Sequence, residues 1–415
     1  MASLHPKLSV QSVWVCVVSR YRLAPTPAQR SGLLEHCRHS RYVWNLGLEQ
    51  RLMWRYGPPS APGYVAQAAQ LTEARAVEAW LRAGSQTVQQ QALRDLDQAW
   101  RNFYAGTHRR PTWRRERVHE GFSVVGSQAL RVEKLNRNWG RVLVPKVGWV
   151  KFRLSRKLPD AKSYRVTCDR AGRWHVAFAV VPEPIQAPGT GEVVGVDRGV
   201  AVSAALSTGE LLSCPGLSRQ EQQRVKHLQR KLARAERGSN RRGKIRAAIA
   251  RLKARESDRR KNWVEHTSTD LARRFDVVGV EDLRIRNMTK SARGTRDAPG
   301  RNVRQKAGLN RGILAQGWGS LVRRLEHKAM GRVVKVHPAY TSQTCSACGY
   351  VASENRENQA VFRCIACRYE ANADVNAAIN IARNIAAGRA VNARGETAAS
   401  VSEKREPQHA PPLVA

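Results

Sequence analysis

Val193-Val194-Gly195-Val196-Asp197 is a short β-branched run that ends on a carboxylate. Such a run has the length and composition of a buried strand, and a carboxylate at its end is costly to bury without a partner. Two further runs follow it, Ala201-Val202-Ser203-Ala204-Ala205-Leu206 and, past Thr208-Gly209, Glu210-Leu211-Leu212. Three adjoining strands with a tight turn between the second and third open an RNase H-like sheet. Asp276-Val277-Val278-Gly279-Val280-Glu281 supplies a fourth strand, again ending on an acid, and 332–336 a fifth. A final helix over 373–385 opens with Asp374.

Asp197, Glu281 and Asp374 lie far apart in sequence, yet this sheet brings such positions together. Phosphodiester cleavage by two metals needs oxygen ligands holding the cations about 4 Å apart, and carboxylates suit hard Mg²⁺. Singly, each acid has a structural reading. Asp374 in particular has the position of a helix N-terminal cap, which needs no metal. Together, in strand, strand and helix order, they favour a two-Mg²⁺ site. Asp282 points to the opposite face of its strand and is not a ligand candidate.

Just before the third acid lie two Cys-x-x-Cys pairs, Cys345-Ser346-Ala347-Cys348-Gly349 and Cys364-Ile365-Ala366-Cys367. Their spacing is that of a zinc ribbon, and four thiolates close the tetrahedron, which makes this Zn²⁺ structural and not catalytic. A redox role needs a thioredoxin-like context that is absent. Cys16, Cys37, Cys168 and Cys214 are scattered singly and read as small core residues of a reducing compartment.

The charge balance points to a polyanion. Against 33 Asp+Glu stand 72 Lys+Arg, a formal net charge of +39 spread along the whole chain and not gathered into one tail. This favours nucleic acid over a membrane anchor. A ribosome-like RNA binder shares the charge but gives no reason for the three acids. The apolar run Val13-Trp14-Val15-Cys16-Val17-Val18 is too short to span a bilayer and lacks a signal-peptide layout, so the expected location is cytoplasmic.

The N-terminal half is organised differently. A strand over 12–18 precedes Pro25-Thr26-Pro27, after which Leu33, Leu34, Cys37, Tyr42, Val43, Leu46 and Leu48 recur at helical spacing. A second helical stripe is Leu81, Val88, Ala92, Leu93, Leu96 and Trp100. From Gly121 the period changes to two, with runs at 122–125, 142–144, 149–152, 164–168 and 174–181. Strands at this spacing form a small barrel or sandwich, completed by the N-terminal strand, with the helices as an insertion. Pro182, Pro184 and Pro188 mark a linker.

Two stretches suit phosphates and bases. An αα-hairpin around Gly238-Ser239-Asn240 carries Arg230, Lys231, Arg234, Arg241, Arg242 and Lys244 with few acids, whereas ordinary helix faces mix signs. Aromatic and basic residues interleave at Trp100-Arg101-Asn102-Phe103-Tyr104 and around Trp113 and Arg114. There Trp100 has an equally good reading as an anchor of the inserted helices to the barrel. The stretch 291–304, rich in Gly, Arg and Ser, reads as a mobile loop, and the chain beyond about Gly395 as disordered.

The order of motifs resembles the TnpB family of transposon-encoded RNA-guided nucleases and their relatives, the compact type V CRISPR effectors. The resemblance rests on Tyr21-Arg22-Leu23-Ala24-Pro25-Thr26, Arg41-Tyr42-Val43-Trp44-Asn45, Gly195-Val196-Asp197-Arg198-Gly199, Val278-Gly279-Val280-Glu281-Asp282-Leu283, Thr341-Ser342-Gln343-Thr344-Cys345 and Asp374-Val375-Asn376-Ala377-Ala378. It covers most of the chain, more loosely in the N-terminal half. Asn372 departs from it, standing where many relatives carry an acid.

The resemblance implies a multidomain α+β protein. A wedge-like β-barrel (1–27 and 119–186) would carry an inserted helical recognition domain (28–118). A RuvC-like α/β nuclease domain (187–341 and 370–390) would carry a zinc ribbon that binds target nucleic acid (342–369), followed by a disordered tail (391–415). It implies a DNA endonuclease that binds guide RNA, recognises a short motif beside its target DNA, and cuts with Asp197, Glu281 and Asp374 as the RuvC acids. The competing reading is a guide-directed DNA binder that represses with little or no cleavage. A DNA-joining transposase ranks third. Compact size is compatible with a homodimer, although no seam is specified.

Overall fold

The computed structural model describes residues 17–54, 61–160, 163–180 and 183–388. The chain divides into two compact units, one comprising 1–182 with 221–254, the other 183–220 with 255–415. Cys16, most of the expected strand over 12–18, and the tail beyond residue 388 lie outside the described residues.

In the first unit, β1 (Val17–Leu23) leads into four helices, α1 (Pro27–Met53), α2 (Tyr64–Val77), α3 (Ala79–Ala83) and α4 (Gln86–Tyr104). Six strands follow: β2 (Gly121–Val125), β3 (Val132–Lys134), β4 (Trp139–Val144), β5 (Gly148–Arg153), β6 (Ser163–Cys168) and β7 (Trp174–Val180). The start of α1 is fixed locally. Thr26 and Gln29 cap each other's backbone reciprocally, and Pro27 fills the first helical position, where no N–H is needed.

The seven strands form one antiparallel sheet in the order β2-β6-β7-β1-β5-β4-β3. The expected barrel or sandwich is realised as an open, curled half-barrel sheet, without the closure. Its edge strands β2 and β3 do not pair, yet only the 3-10 turn Gly126–Leu130 and Arg131 separate them in sequence. Six inter-strand spacings in a flat sheet would span about 29 Å, beyond the reach of so short a connection in that compact conformation. The sheet therefore has to curl. Tyr21, Phe122, Phe152, Tyr164 and Phe178 fill its concave core, joined by Leu33 and Cys37 of α1 and Val88 of α4.

The expected stripe on α4 is buried as predicted, from Val88 to Trp100. On α1 the stripe is narrower: Leu33, Cys37, Val43 and Leu48 are buried, while Leu34, Tyr42 and Leu46 are exposed.

Next come β8 (Val193–Asp197), β9 (Ala204–Leu206), β10 (Leu211–Leu212), α5 (Arg219–Arg234), α6 (Asn240–Arg274) and β11 (Val277–Glu281). They are followed by α7 (Ile285–Met288), α8 (Val303–Gln316), α9 (Trp318–Lys328), β12 (Val333–Val336), β13 (Val361–Arg363), β14 (Glu370–Asn372) and α10 (Ala373–Ala386). The sheet of the second unit runs β10-β9-β8-β11-β12, antiparallel among the first three and parallel across β8, β11 and β12. This is the sheet expected from the five apolar runs.

Two nearly identical pentapeptides, VVGVD and VVGVE, form the central strands β8 and β11 and pair in register, Gly195 opposite Gly279. Alternation gives the two faces different work. Val194, Val196, Val278 and Val280 face Leu271 and Phe275 at the end of α6 and its C-cap, and Leu321 and Leu325 of α9. The glycines face α10. A Cβ on Gly195 would lie 1.9 Å from the Ala378 carbonyl oxygen, and one on Gly279 would lie 2.2 Å from Ile385 Cδ1. The paired glycines let the helix lie directly on the strands.

The stretch 291–304 is not featureless. Gly294 and Pro299 form an antiparallel bridge, with the Thr295 N–H donating to Ala298 O at 3.0 Å. It ends where α8 begins.

Candidate nuclease centre and zinc ribbon

Asp197 and Glu281 are the last residues of two adjacent parallel strands. Period-two alternation sends both side chains to the face of Gly195 and Gly279, which α10 covers. Asp374 stands in the first turn of α10, and a Cβ on Gly199, just past β8, would lie 3.5 Å from its Oδ2. The three predicted acids therefore meet at one end of the sheet.

The capping reading of Asp374 is settled by its neighbour. Asn372 is the N-cap of α10, its Oδ1 accepting from the N–H groups of Asp374 at 3.0 Å and Val375 at 3.2 Å. Asp374 is left to face the other acids.

Electrostatics record the crowding. Burial, reinforced by the charges of Glu281 and Asp374, pushes the Asp197 carboxyl up to about 7. Burial also raises Glu281 and Asp374. The three carboxylates outnumber the two guanidiniums that face them, Arg198 and Arg356, and the excess of negative charge favours a cation. Arg356 offers partial relief, its guanidinium 3.4 Å from Asp374 Oδ1. Arg198, 6% exposed, donates to the backbone carbonyl of Glu281, fixing the strand end. Thr341 Oγ1 donates to Glu281 Oε1 at 2.6 Å. The sequence reading missed the parts played by Arg356, Arg198 and Thr341.

The four predicted cysteines converge. Their sulfur atoms lie within 4.8 Å of one another, with Cys345 to Cys367 at 3.7 Å and Cys348 to Cys364 at 3.6 Å. Two matching turns build the set: Gly349 N–H donates to Cys345 O and Arg368 N–H to Cys364 O, and both donors have positive φ. Backbone N–H groups, that of Cys367 first, hold the Cys364 thiol down at about 7. The neighbouring sulfurs push the Cys367 thiol up to about 12, so the four thiols cannot all ionise without a cation among them, and a set this compact fits tetrahedral Zn²⁺. Among the described residues this is the group of three or more ligating side chains close enough to hold an ion as it stands; the acids repel one another but form no equally tight set.

The predicted nucleic-acid contacts divide. Arg230, Lys231, Arg234, Arg241 and Lys244 are exposed on α5 and α6. Arg242 is committed elsewhere, donating to Leu232 O at 2.8 Å and Ala235 O at 2.7 Å and so closing the end of α5. Trp113 is 45% exposed. Arg114 turns inward, 3.8 Å over the Trp44 ring with Ser40 as a further partner, and burial lowers it to about 10. Its contacts are those of a core anchor and not of a free phosphate ligand. Trp100 is buried with Trp44, Leu48 and Leu96, so it packs α4 on α1 within the helices and is not the expected anchor to the barrel.

This fold and these sites describe an α/β protein with three acids at a sheet end and a four-cysteine ribbon beside the helix that carries the third. Three family models match parts of the chain. A model described as "Probable transposase" matches residues 175–292, one described as "Cas12f1-like, TNB domain" matches 318–381, and a "Helix-turn-helix domain" model matches 18–57, whose described residues include α1 and most of β1. An Escherichia coli (strain K12) protein with the provisional name RNA-guided DNA endonuclease InsQ is 35% identical over 323 residues, 76% of this chain and 78% of the relative. A similarly named Streptomyces pristinaespiralis protein is 32% identical over 94% of this chain and 96% of its own. The chain belongs to this TnpB-type family. Its fold is similar to that of the protein in a solved Cas12f1-sgRNA-target DNA complex, with a TM-score of 0.51 and 14% identity over 86% of this chain and 82% of the other.

Proposed function

We propose that this protein is an RNA-guided DNA endonuclease whose RuvC-like domain, 187–341 with 370–390, cuts DNA using Asp197, Glu281 and Asp374 as ligands of two Mg²⁺ ions. The observation that carries the reading is the meeting of these three acids at one sheet end, with Asp197 raised to about 7. Family membership supports the guide RNA and DNA target, since both relatives are named for that activity.

Held by Asp197, Glu281 and Asp374, two Mg²⁺ ions would provide an activated water and stabilise the leaving oxygen. Asp197 has to release its proton before it can ligate, so ligand competence rises with pH through about 7. Arg356, paired with Asp374, is available to a phosphate oxygen once a cation takes over that carboxylate. The exposed cations of α5 and α6 track nucleic-acid phosphates, base pairing reads sequence, and the curled sheet with its helices reads scaffold shape and a short duplex motif.

The first experiment expresses the chain with its native flanking DNA and sequences the copurifying RNA. A discrete structured RNA ending in a variable guide is expected; only bulk ribosomal fragments would remove the RNA-guided reading. With that RNA, Asp197→Ala should abolish cutting and leave guide-dependent DNA binding intact. Undiminished cutting refutes the metal site, and guide-dependent binding without cutting by the unaltered protein selects the repressor-like alternative.

A further inference from the structure

Thr341 is 3% exposed and lies between the acids and the cysteines. Its hydroxyl has one proton to give. The nearest acceptors are Glu281 Oε1 at 2.6 Å and Pro338 O at 3.1 Å, so the shorter, charge-assisted bond goes to the carboxylate. Four residues later the chain enters the ribbon at Cys345.

This linking segment is clamped to α10. Asn380 Nδ2 donates to Thr341 O at 3.0 Å and to Thr344 O at 2.7 Å. Asn376 Nδ2 donates to Thr344 O at 2.9 Å, and its Oδ1 accepts from Ser346 N–H at 2.9 Å. Arg383 donates to Ser346 O. Asn376, Asn380 and Arg383 are spaced four and three apart, one stripe on the helix that begins with Asp374. Asn376 and Asn380 are buried, so breaking any of these bonds would leave an unsatisfied polar group. At the other side the ribbon presents Arg356 to Asp374.

We infer that the zinc ribbon positions the candidate metal ligands: by holding the segment 341–346 against α10 it aims the Thr341 hydroxyl at Glu281 and fixes which carboxylate oxygen is left for a cation. Thr341 is a positioning residue, and zinc occupancy is transmitted to the acids through it. This inference rests on the reading of Glu281 as a metal ligand.

The test compares Thr341→Val, nearly isosteric but without the hydroxyl, with Thr341→Ser, which keeps it, in the full chain loaded with its copurifying RNA. Readouts are zinc content, DNA affinity in Ca²⁺, Mn²⁺ affinity by electron paramagnetic resonance, and cutting rate in Mg²⁺. Thr341→Val is expected to keep zinc and DNA affinity while Mn²⁺ affinity and cutting fall by about 10–100-fold, the usual effect of removing a group that orients a metal ligand. Thr341→Ser should recover most of the loss, and Cys348→Ser, which removes an exposed zinc ligand, should reproduce the loss in Mn²⁺ affinity. Wild-type Mn²⁺ affinity in Thr341→Val overturns the inference. So does an equal loss in both Thr341 variants accompanied by loss of zinc, which marks a purely structural residue. If Asp197→Ala leaves Mn²⁺ affinity and cutting unchanged, it is the metal-site reading that fails.

Discussion

Asp197 is held in a state that disfavours the folded chain. Its carboxyl moves from an ordinary 3.8 to about 7, so between those values the folded protein binds a proton that the unfolded chain has released. Stability from this residue is therefore undiminished below about pH 4, falls as pH rises, and is at its minimum above about pH 7. A shift of this size corresponds to at most about 4 kcal/mol, and relaxation around a half-buried group reduces it. Asp197→Asn should stabilise the metal-free protein by about 2 kcal/mol at pH 8 and barely at all at pH 4.5. Urea unfolding at the two pH values checks this; an Asn variant less stable at pH 8 would mean that burial and the neighbouring acids do not make the Asp197 charge unfavourable. The three acids and four cysteines were legible in the sequence because each breaks a local pattern. Arg356 was not, because one arginine among 72 Lys+Arg carries no signal until the fold sets it beside Asp374.

At the scale of elements, the contact between α10 and the paired glycines is what puts Asp374 beside the strand ends. Gly195→Ala would drive a methyl group into backbone, since the obstructing atom is the Ala378 carbonyl oxygen at 1.9 Å. The helix has to lift, at a cost of about 3 kcal/mol or more. Denaturation of Gly195→Ala should show this loss together with abolished cutting, and a neutral result would contradict the packing. The basic hairpin calls for a different measurement. Replacing Arg230, Lys231, Arg234, Arg241 and Lys244 by Ala should flatten the dependence of log affinity on log salt by about 0.7–0.9 for each phosphate that is no longer neutralised. Arg242→Ala should leave that slope nearly unchanged and lower the melting temperature, because its bonds go to Leu232 O and Ala235 O. Equal slopes for the five-site variant and the parent would remove the hairpin from the interface. Strands were the most readable elements, as the β8 and β11 pentapeptides show. Helix α9 was overlooked although Trp318, Leu321, Val322 and Leu325 carry a helical period and are buried. Barrel closure was misread because alternation reports a strand's faces and says nothing of which edges pair.

Over the whole molecule the dominant quantity is a formal net charge of +39. Ion pairs such as Arg41 with Glu120 and Arg51 with Asp97 use few of the cations, because acids are outnumbered by more than two to one. The RNA-free protein thus carries a self-repulsion that salt screens, while the RNA-loaded protein depends on attraction that salt weakens. The two forms should respond to salt with opposite signs. Between about 0.05 and about 0.3 M NaCl, the melting temperature of the RNA-free protein should rise and that of the RNA complex should fall, each by about 5 °C, until the two curves approach one another. Differential scanning calorimetry on matched samples, one with its RNA and one stripped of it by ribonuclease, makes the comparison. A parallel rise in both forms would mean that the bound RNA neutralises little of the charge that destabilises the fold, and that the excess of arginine serves something other than holding its guide.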